Sequence, residues 1–254
     1  MKVAYMKITI ENIKAEYSID TLVDKFVSSV DDIGLWQSER LIFSEYLNLR
    51  DKILDLGCGA GRTTFGLFEM GYRGIIGLDL SDGMIAAALD ITKSKNLLIP
   101  FIAGNACELT FDSASFDAVI FSFNGIMTIP TSEMRQKAFD EIYRVLKPGG
   151  IFIFTAHYMD NPQFVSFWKT EREKWDKGEQ DKRLLEYGDV IFSKPDEYGD
   201  IISFVHIPVA GEIESYLSKS GYNIIFNKAR SKFCEENAAV MGFSGDCKFW
   251  VCKK

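Results

Sequence analysis

Ile53-Leu54-Asp55-Leu56-Gly57-Cys58-Gly59-Ala60-Gly61 is the stretch on which the reading of this chain turns. A short apolar run ends in an acid, and glycines then stand at alternate positions. Residues 62–69 continue with Gly66 as their only helix breaker, as the opening of a helix would. Glycine carries no Cβ, so the chain can turn sharply off a strand and let a ligand approach its backbone. The free N–H groups at the start of the next helix then face that ligand. Such a turn suits a nucleotide-like cofactor lying across the carboxyl ends of a parallel sheet.

The spacing narrows the cofactor. A dinucleotide fingerprint needs a third glycine three residues after the second, and that position is Arg62. No Gly-Lys-Ser/Thr follows, which excludes a Walker A loop. Asp55, just ahead of the first glycine, would repel a pyrophosphate and suit a cation.

Asp55-Leu56-Gly57-Cys58-Gly59-Ala60-Gly61 resembles the first motif of class I S-adenosylmethionine-dependent methyltransferases. Gly77-Leu78-Asp79-Leu80-Ser81 looks like the end of their second strand, whose acid holds the ribose hydroxyls. Phe116-Asp117-Ala118-Val119-Ile120 resembles their fourth strand, and Leu146-Lys147-Pro148-Gly149-Gly150 the turn before their fifth. The four motifs keep their order and spacing over residues 52–156.

Outward from these motifs, short apolar strands alternate with helices. Strands are expected over residues 53–56, 74–78, 99–103, 118–123 and 151–156, with helices from about 62, from about 81 and over 132–146. Strands apolar throughout are those of a parallel sheet covered on both faces, and the alternation implies a doubly wound α/β fold. Two helices precede the sheet, within residues 18–48. After His157 an insert over residues 158–208 reads as a cap, with an amphipathic helix packing Phe164, Phe167, Trp168 and Trp175 inward. Two strands joined by a turn over residues 195–200 follow. A helix over 211–220 and strands over 222–227 and 248–252 close the chain, read as a single domain. The resemblance implies a seven-stranded, mostly parallel sheet whose last strand runs antiparallel.

Bulk properties bound the function. The chain has 254 residues, a net charge of −7 and five scattered cysteines without a Cys-x-x-Cys pair. Such thiols read as reduced, and no metal framework is expected; the cytoplasm is the expected location. No apolar window suits a membrane span. Net negative charge disfavours nucleic acid. A small-molecule acceptor is expected; the oligomeric state is left open.

The resemblance implies S-adenosylmethionine as cofactor. Asp55 is expected near its amino or sulfonium end or as a cap of the loop, and Gly57, Cys58, Gly59 and Gly61 along its methionine part. Asp79 is assigned to the ribose, Leu80 and Met84 to the adenine faces, and Asn105 and Ala106 to the adenine edge. Phe123 and Asn124 are placed near the methyl group, with Trp36 and Arg40 closing over the carboxylate. His157 and His206 are the candidate general bases, or else histidines satisfied by neighbouring groups; Tyr158 and Tyr198 are further candidates. Alternatives are a tRNA or protein methyltransferase of the same fold, and a binding protein without turnover.

Overall fold

The computed structural model describes residues 7–194 and 201–254. Three helices come first: α1 (Ile10–Glu16), α2 (Asp20–Asp32) and α3 (Gln37–Tyr46). The alternating core follows as β1 (Lys52–Leu56), α4 (Arg62–Glu69), β2 (Gly74–Asp79), α5 (Asp82–Ser94), β3 (Phe101–Ala103), β4 (Phe116–Phe121), α6 (Ser132–Val145) and β5 (Leu146–Ala156). An insert supplies α7 (Val165–Lys177), β6 (Asp189–Lys194) and β7 (Ile201–His206). The chain then adds α8 (Glu212–Ser220), β8 (Asn223–Ala229), α9 (Ala238–Phe243) and β9 (Lys248–Lys253).

Seven strands form one sheet in the order β3-β2-β1-β4-β5-β9-β8, and β6 pairs with β7 as a separate antiparallel hairpin. β1 is central and parallel to β2 and β4, while β9 runs antiparallel to both its neighbours. The sequence order reverses direction across the sheet between β1 and β4, the switch point at which open α/β sheets bind ligands. Side chains alternate faces along each strand. Leu54, Leu56, Val119, Phe152 and Phe154 therefore pack with Phe139, Ile142 and Leu217 of α6 and α8. Ile53, Ile75, Ile120, Ile153 and Val251 meet Trp36 and Phe43 on the other side. Each such burial contributes about 1.5–3 kcal/mol.

Four local outcomes differ from the sequence reading. β4 stops at Phe121 because Phe123 (φ 51°) and Asn124 (φ 60°) adopt the left-handed region, which breaks the strand. β5 begins five residues early, since Leu146 already pairs with Phe116. In α7 Trp168 is buried but Phe164 and Phe167 face solvent, so the aromatic stripe is not an inward face. Helices α1 and α9 were not anticipated: both are short, and α1 carries charges on most of its turns. The expected turn over 195–200, with Tyr198, lies outside the described residues. Among the described residues no helix is long and apolar enough to cross a membrane.

The helix after the glycine loop is held from below. Arg62, its first residue, donates to both carboxylate oxygens of Glu39 on α3 at 2.7 Å, and both side chains are buried. Glu39 also accepts from the Trp36 N–H, and the Trp36 ring lies between the Arg62 and Arg230 guanidiniums, each 4.9 Å from it. Removing one partner of a buried pair strands the other charge, at about 3–5 kcal/mol. Glu39→Ala should lower the stability measured by urea unfolding by that amount, whereas a change under about 1 kcal/mol, as for surface pairs, would contradict this role.

Candidate active site

The loop between β1 and α4 has its shape because few residues could take it. Gly57 (φ 64°) and Gly59 (φ 55°) are left-handed. A Cβ on Gly57 would also stand 2.5 Å from the Phe121 ring. Phe121 fills the space a side chain would need, so the backbone of the loop lies open toward the cleft. Asp79, the last residue of β2, accepts from the Gly59 N–H at 2.8 Å and the Ser81 N–H at 2.9 Å. Withdrawal from water raises the Asp79 pKa above the ordinary carboxylate range, against the pull of the backbone N–H groups of Ser81, Gly59 and Leu80.

A cleft of about 760 Å³ opens over the carboxyl ends of β1, β2 and β4. Of the residues expected at the cofactor, Gly57, Gly59, Asp79, Leu80, Met84, Asn105, Ala106 and Phe123 line it. Asn105 is partly engaged, its Oδ1 accepting from the Cys107 N–H at 2.9 Å. Others stand elsewhere. Cys58 and Gly61 belong to the turn but do not line the cleft; the Cys58 thiol is buried and its pKa is pushed well up. Trp36 is beneath the loop in its arginine sandwich, and Arg40 on α3 does not reach the cleft.

Asp55 is buried behind the loop. Its Oδ2 accepts from the Thr64 hydroxyl at 2.5 Å, and its Oδ1 has no partner among the described residues. Burial pushes its pKa up to about 7, opposed by the Thr64 hydroxyl and Arg62. A carboxyl left with an orphaned acceptor is one that a nearby cation would satisfy and return to its charged form. The aromatic faces of Tyr17, Phe26, Phe121 and Phe123 on the cleft wall suit a cation as well. A backbone cradle, a carboxylate with spare lone pairs at a strand end and this electrostatic bias together fit S-adenosylmethionine.

Beside the cleft is a second hollow, open to solvent, which shares Tyr17, Phe26, Phe123 and Thr128 with it. Asn124 and His157 line this second space. His157 Nδ1 meets the Asp246 carbonyl at 3.0 Å, so Nδ1 carries the proton and Nε2 is an acceptor, 3.3 Å from Asn124 Nδ2. Burial, then Arg230, lower the His157 pKa, keeping the imidazole neutral near pH 7. The Tyr158 hydroxyl is taken by Asp246 at 2.8 Å.

His206 lines neither space. Its Nδ1 meets Asp189 at 2.8 Å and its Nε2 meets Glu212 at 2.9 Å, so both ring nitrogens are spent fastening the β6–β7 hairpin to α8. Burial opposes its protonation, but the two carboxylates outweigh it and raise its pKa. Glu186, Asp189 and His206 bring possible metal-ligand atoms within 4.8 Å of one another. Arg135, however, donates to Glu186 and to Glu212, so a cation already occupies this cluster.

Sequence reasoning missed Ile10, Ile13, Tyr17 and Phe26 from α1 and α2, and Phe243 from α9, which line one or both spaces. Nothing in their local pattern separates them from ordinary amphipathic helix residues.

A model of a methyltransferase domain matches residues 53–150. The demethylmenaquinone methyltransferase of Symbiobacterium thermophilum is 30% identical over 174 residues, 61% of this chain and 67% of that protein. The enzyme of the same name from Lactococcus lactis is 44% identical over 112 residues, 41% of this chain and 42% of the relative. The chain spans 42–48% of the length of the first curated relatives it matches. A solved S-adenosylmethionine-dependent methyltransferase from Methanosarcina mazei superposes with a TM-score of 0.68 at 22% identity, covering 87% of this chain and 99% of that one.

The raised pKa of Asp55 has a measurable consequence for the ligand-free protein. A carboxyl whose folded pKa (about 7) exceeds its usual 3.8 costs stability as pH rises between those values, because ionisation is favoured in the unfolded chain. Asp55→Asn removes that cost while keeping an acceptor for Thr64. The variant should match the wild type in urea unfolding near pH 4 and exceed it increasingly up to pH 7, with a constant margin above. Equal stability at pH 8 would show that Asp55 is not held against ionisation.

Proposed function

The chain belongs to the class I S-adenosylmethionine-dependent methyltransferases, and from that premise we propose that it methylates a small-molecule acceptor at oxygen or nitrogen. The observation that carries the proposal is the adjacency at Tyr17, Phe26, Phe123 and Thr128, which line both the cleft and a neighbouring hollow with room for an acceptor. Relatives named for sterol and demethylmenaquinone substrates support an acceptor of modest size. The net charge of −7 counts against an RNA acceptor.

When bound, S-adenosylmethionine supplies an electrophilic methyl group on a cationic sulfur. The protein's part is binding, orientation and exclusion of water. Asp79 has lone pairs left for two ribose hydroxyls, a bidentate match. Leu80 and Met84 would cover the adenine faces, and Asn105 with the Ala106 backbone its edge. The open backbone at Gly57 and Gly59, with Phe123, would follow the methionine part, and Asp55 would balance its positive charge from behind the loop. His157, neutral and reached at Nε2 only by the long 3.3 Å contact from Asn124 Nδ2, would take a proton from the acceptor. Five cysteines, none paired, support a cytoplasmic setting.

Isothermal calorimetry with S-adenosylhomocysteine tests this reading. Wild-type protein should bind it and should not bind NAD. Asp79→Ala should weaken binding by about 1–3 kcal/mol, the range for a lost charged hydrogen bond, with its unfolding curve checked in parallel. Unchanged affinity would remove Asp79 from the ribose, and absence of binding by the wild type would overturn the cofactor assignment.

A further inference from the structure

The chemistry of the second hollow says more about the acceptor than its size does. Its wall carries six aromatic rings, Tyr17, Phe26, Phe123, Phe192, Phe204 and Phe243, among aliphatic and polar side chains. Three of these form an ordered group. Phe123 and Phe243 stack at 4.7 Å with 13° between their planes, and Phe26 presents an edge to both, at 6.0 and 6.5 Å. Such a set favours a flat π-surface, which can extend the stack or meet an edge. Phe123 is held there by a left-handed backbone. A bulky residue in that region carries strain of about 1–3 kcal/mol.

The polar end of the cavity is equally specific. Asn124 is 7% exposed, and its Oδ1 is buried without a partner among the described residues. Its Nδ2 makes the long 3.3 Å contact to His157 Nε2. The ring orientation is fixed from behind, since Nδ1–H is donated to the Asp246 carbonyl. One unpartnered acceptor, Asn124 Oδ1, and one engaged only by a long contact, His157 Nε2, therefore belong to residues at one end of this space. An orphaned buried acceptor costs about 1–3 kcal/mol, a cost that a ligand O–H would remove. Charges of both signs stand nearby. Lys25 lines the wall, its ammonium 5.8 Å from the Phe243 ring centre, and Arg230 acts on His157 from behind. Glu16, at the α1 side of the wall, and the Asp246 carboxylate act in the opposite sense. The Asp246 carboxylate is already held by the Tyr158 and Ser231 hydroxyls.

We infer that the acceptor is a planar aromatic molecule bearing an acidic hydroxyl, its ring against Phe26, Phe123 and Phe243 and its O–H directed at Asn124 Oδ1 and His157 Nε2. This rests on the methyltransferase reading above and names the acceptor class for that site. In the proton-transfer step the acceptor O–H displaces the long Asn124 Nδ2 contact at His157 Nε2, the O–H bond breaks, its electron pair stays on the acceptor oxygen, and the proton passes to Nε2. The resulting imidazolium keeps its Nδ1–H on the Asp246 carbonyl. A phenol or enol matches a base whose own pKa is lowered, because such a hydroxyl gives up its proton far more readily than an aliphatic alcohol.

The chain has two histidines, so side-chain 15N spectra resolve His157 from His206 without ambiguity. The probes are 2-naphthol, 2-methoxynaphthalene, which keeps the ring and lacks the donor, and benzylamine, which offers an ammonium. Titrated into the full chain without cofactor, 2-naphthol should shift the His157 Nε2 resonance and leave His206 in place. The ether should bind about tenfold more weakly without that shift. His157→Gln should abolish the preference for the hydroxyl while keeping ring binding, and Phe243→Ala or Phe26→Ala should weaken both naphthalenes alike. A stronger response to benzylamine, or equal affinity for naphthol and ether, would overturn the inference. Calorimetry with S-adenosylhomocysteine on the same sample separates the two failures. If it binds while naphthol does not, the acceptor class is wrong and the cofactor assignment stands. If neither binds, both fall.

Discussion

The carboxylate of Asp79 accepts the Gly59 N–H at 2.8 Å and the Ser81 N–H at 2.9 Å, and so pins the loop after β1 to the start of α5. Both segments leave the sheet at adjacent strands, and each would otherwise be free to settle toward the other and close the gap. Held at this spacing, the backbone of the loop and the apolar side chains of Leu80 and Met84 form opposite sides of one cleft. The same side chain lines that cleft, so one carboxylate holds the two walls apart and also faces the space between them.

The interaction needs a firm base. The buried Glu39–Arg62 pair, and Trp36 between two guanidiniums, fix where α4 begins and therefore where the glycine loop must end. These groups are costly to bury unless each is satisfied, and nearly every polar atom of Glu39 and Arg62 is. The arrangement places rigidity under the cofactor side of the cleft. The acceptor side is assembled differently, from α1, α2, β7 and α9, elements distant from one another in sequence.

That contrast explains what could be read from the residues alone. The glycine loop, Asp79 and the strand pattern are local: their chemistry is carried by spacing within a few positions, and the sheet order and cleft lining follow from it. Trp36 looked like a lid because it opens a helix just ahead of the sheet. Its ring instead found two arginines, one of them nearly two hundred positions away, which no local pattern discloses. His206 read as a candidate base from its place at a strand end, yet its position between Asp189 and Glu212 depends on the insert folding back onto α8. Phe243, in a six-residue helix, meets Phe123 only through tertiary packing. Left-handed backbone at Phe123 and Asn124 was hidden for a related reason, since neither residue advertises that conformation as glycine would.

Ser81 has one more part to play. Its hydroxyl caps α5 by accepting from the Met84 N–H, donates to the Tyr17 carbonyl at the end of α1, and lies 3.0 Å from the Ser18 hydroxyl. One oxygen thus joins the first helix of the chain to the residue two places beyond Asp79. Docking of the first helix and the placement of the segment that follows Asp79 therefore share one hydrogen-bonded oxygen.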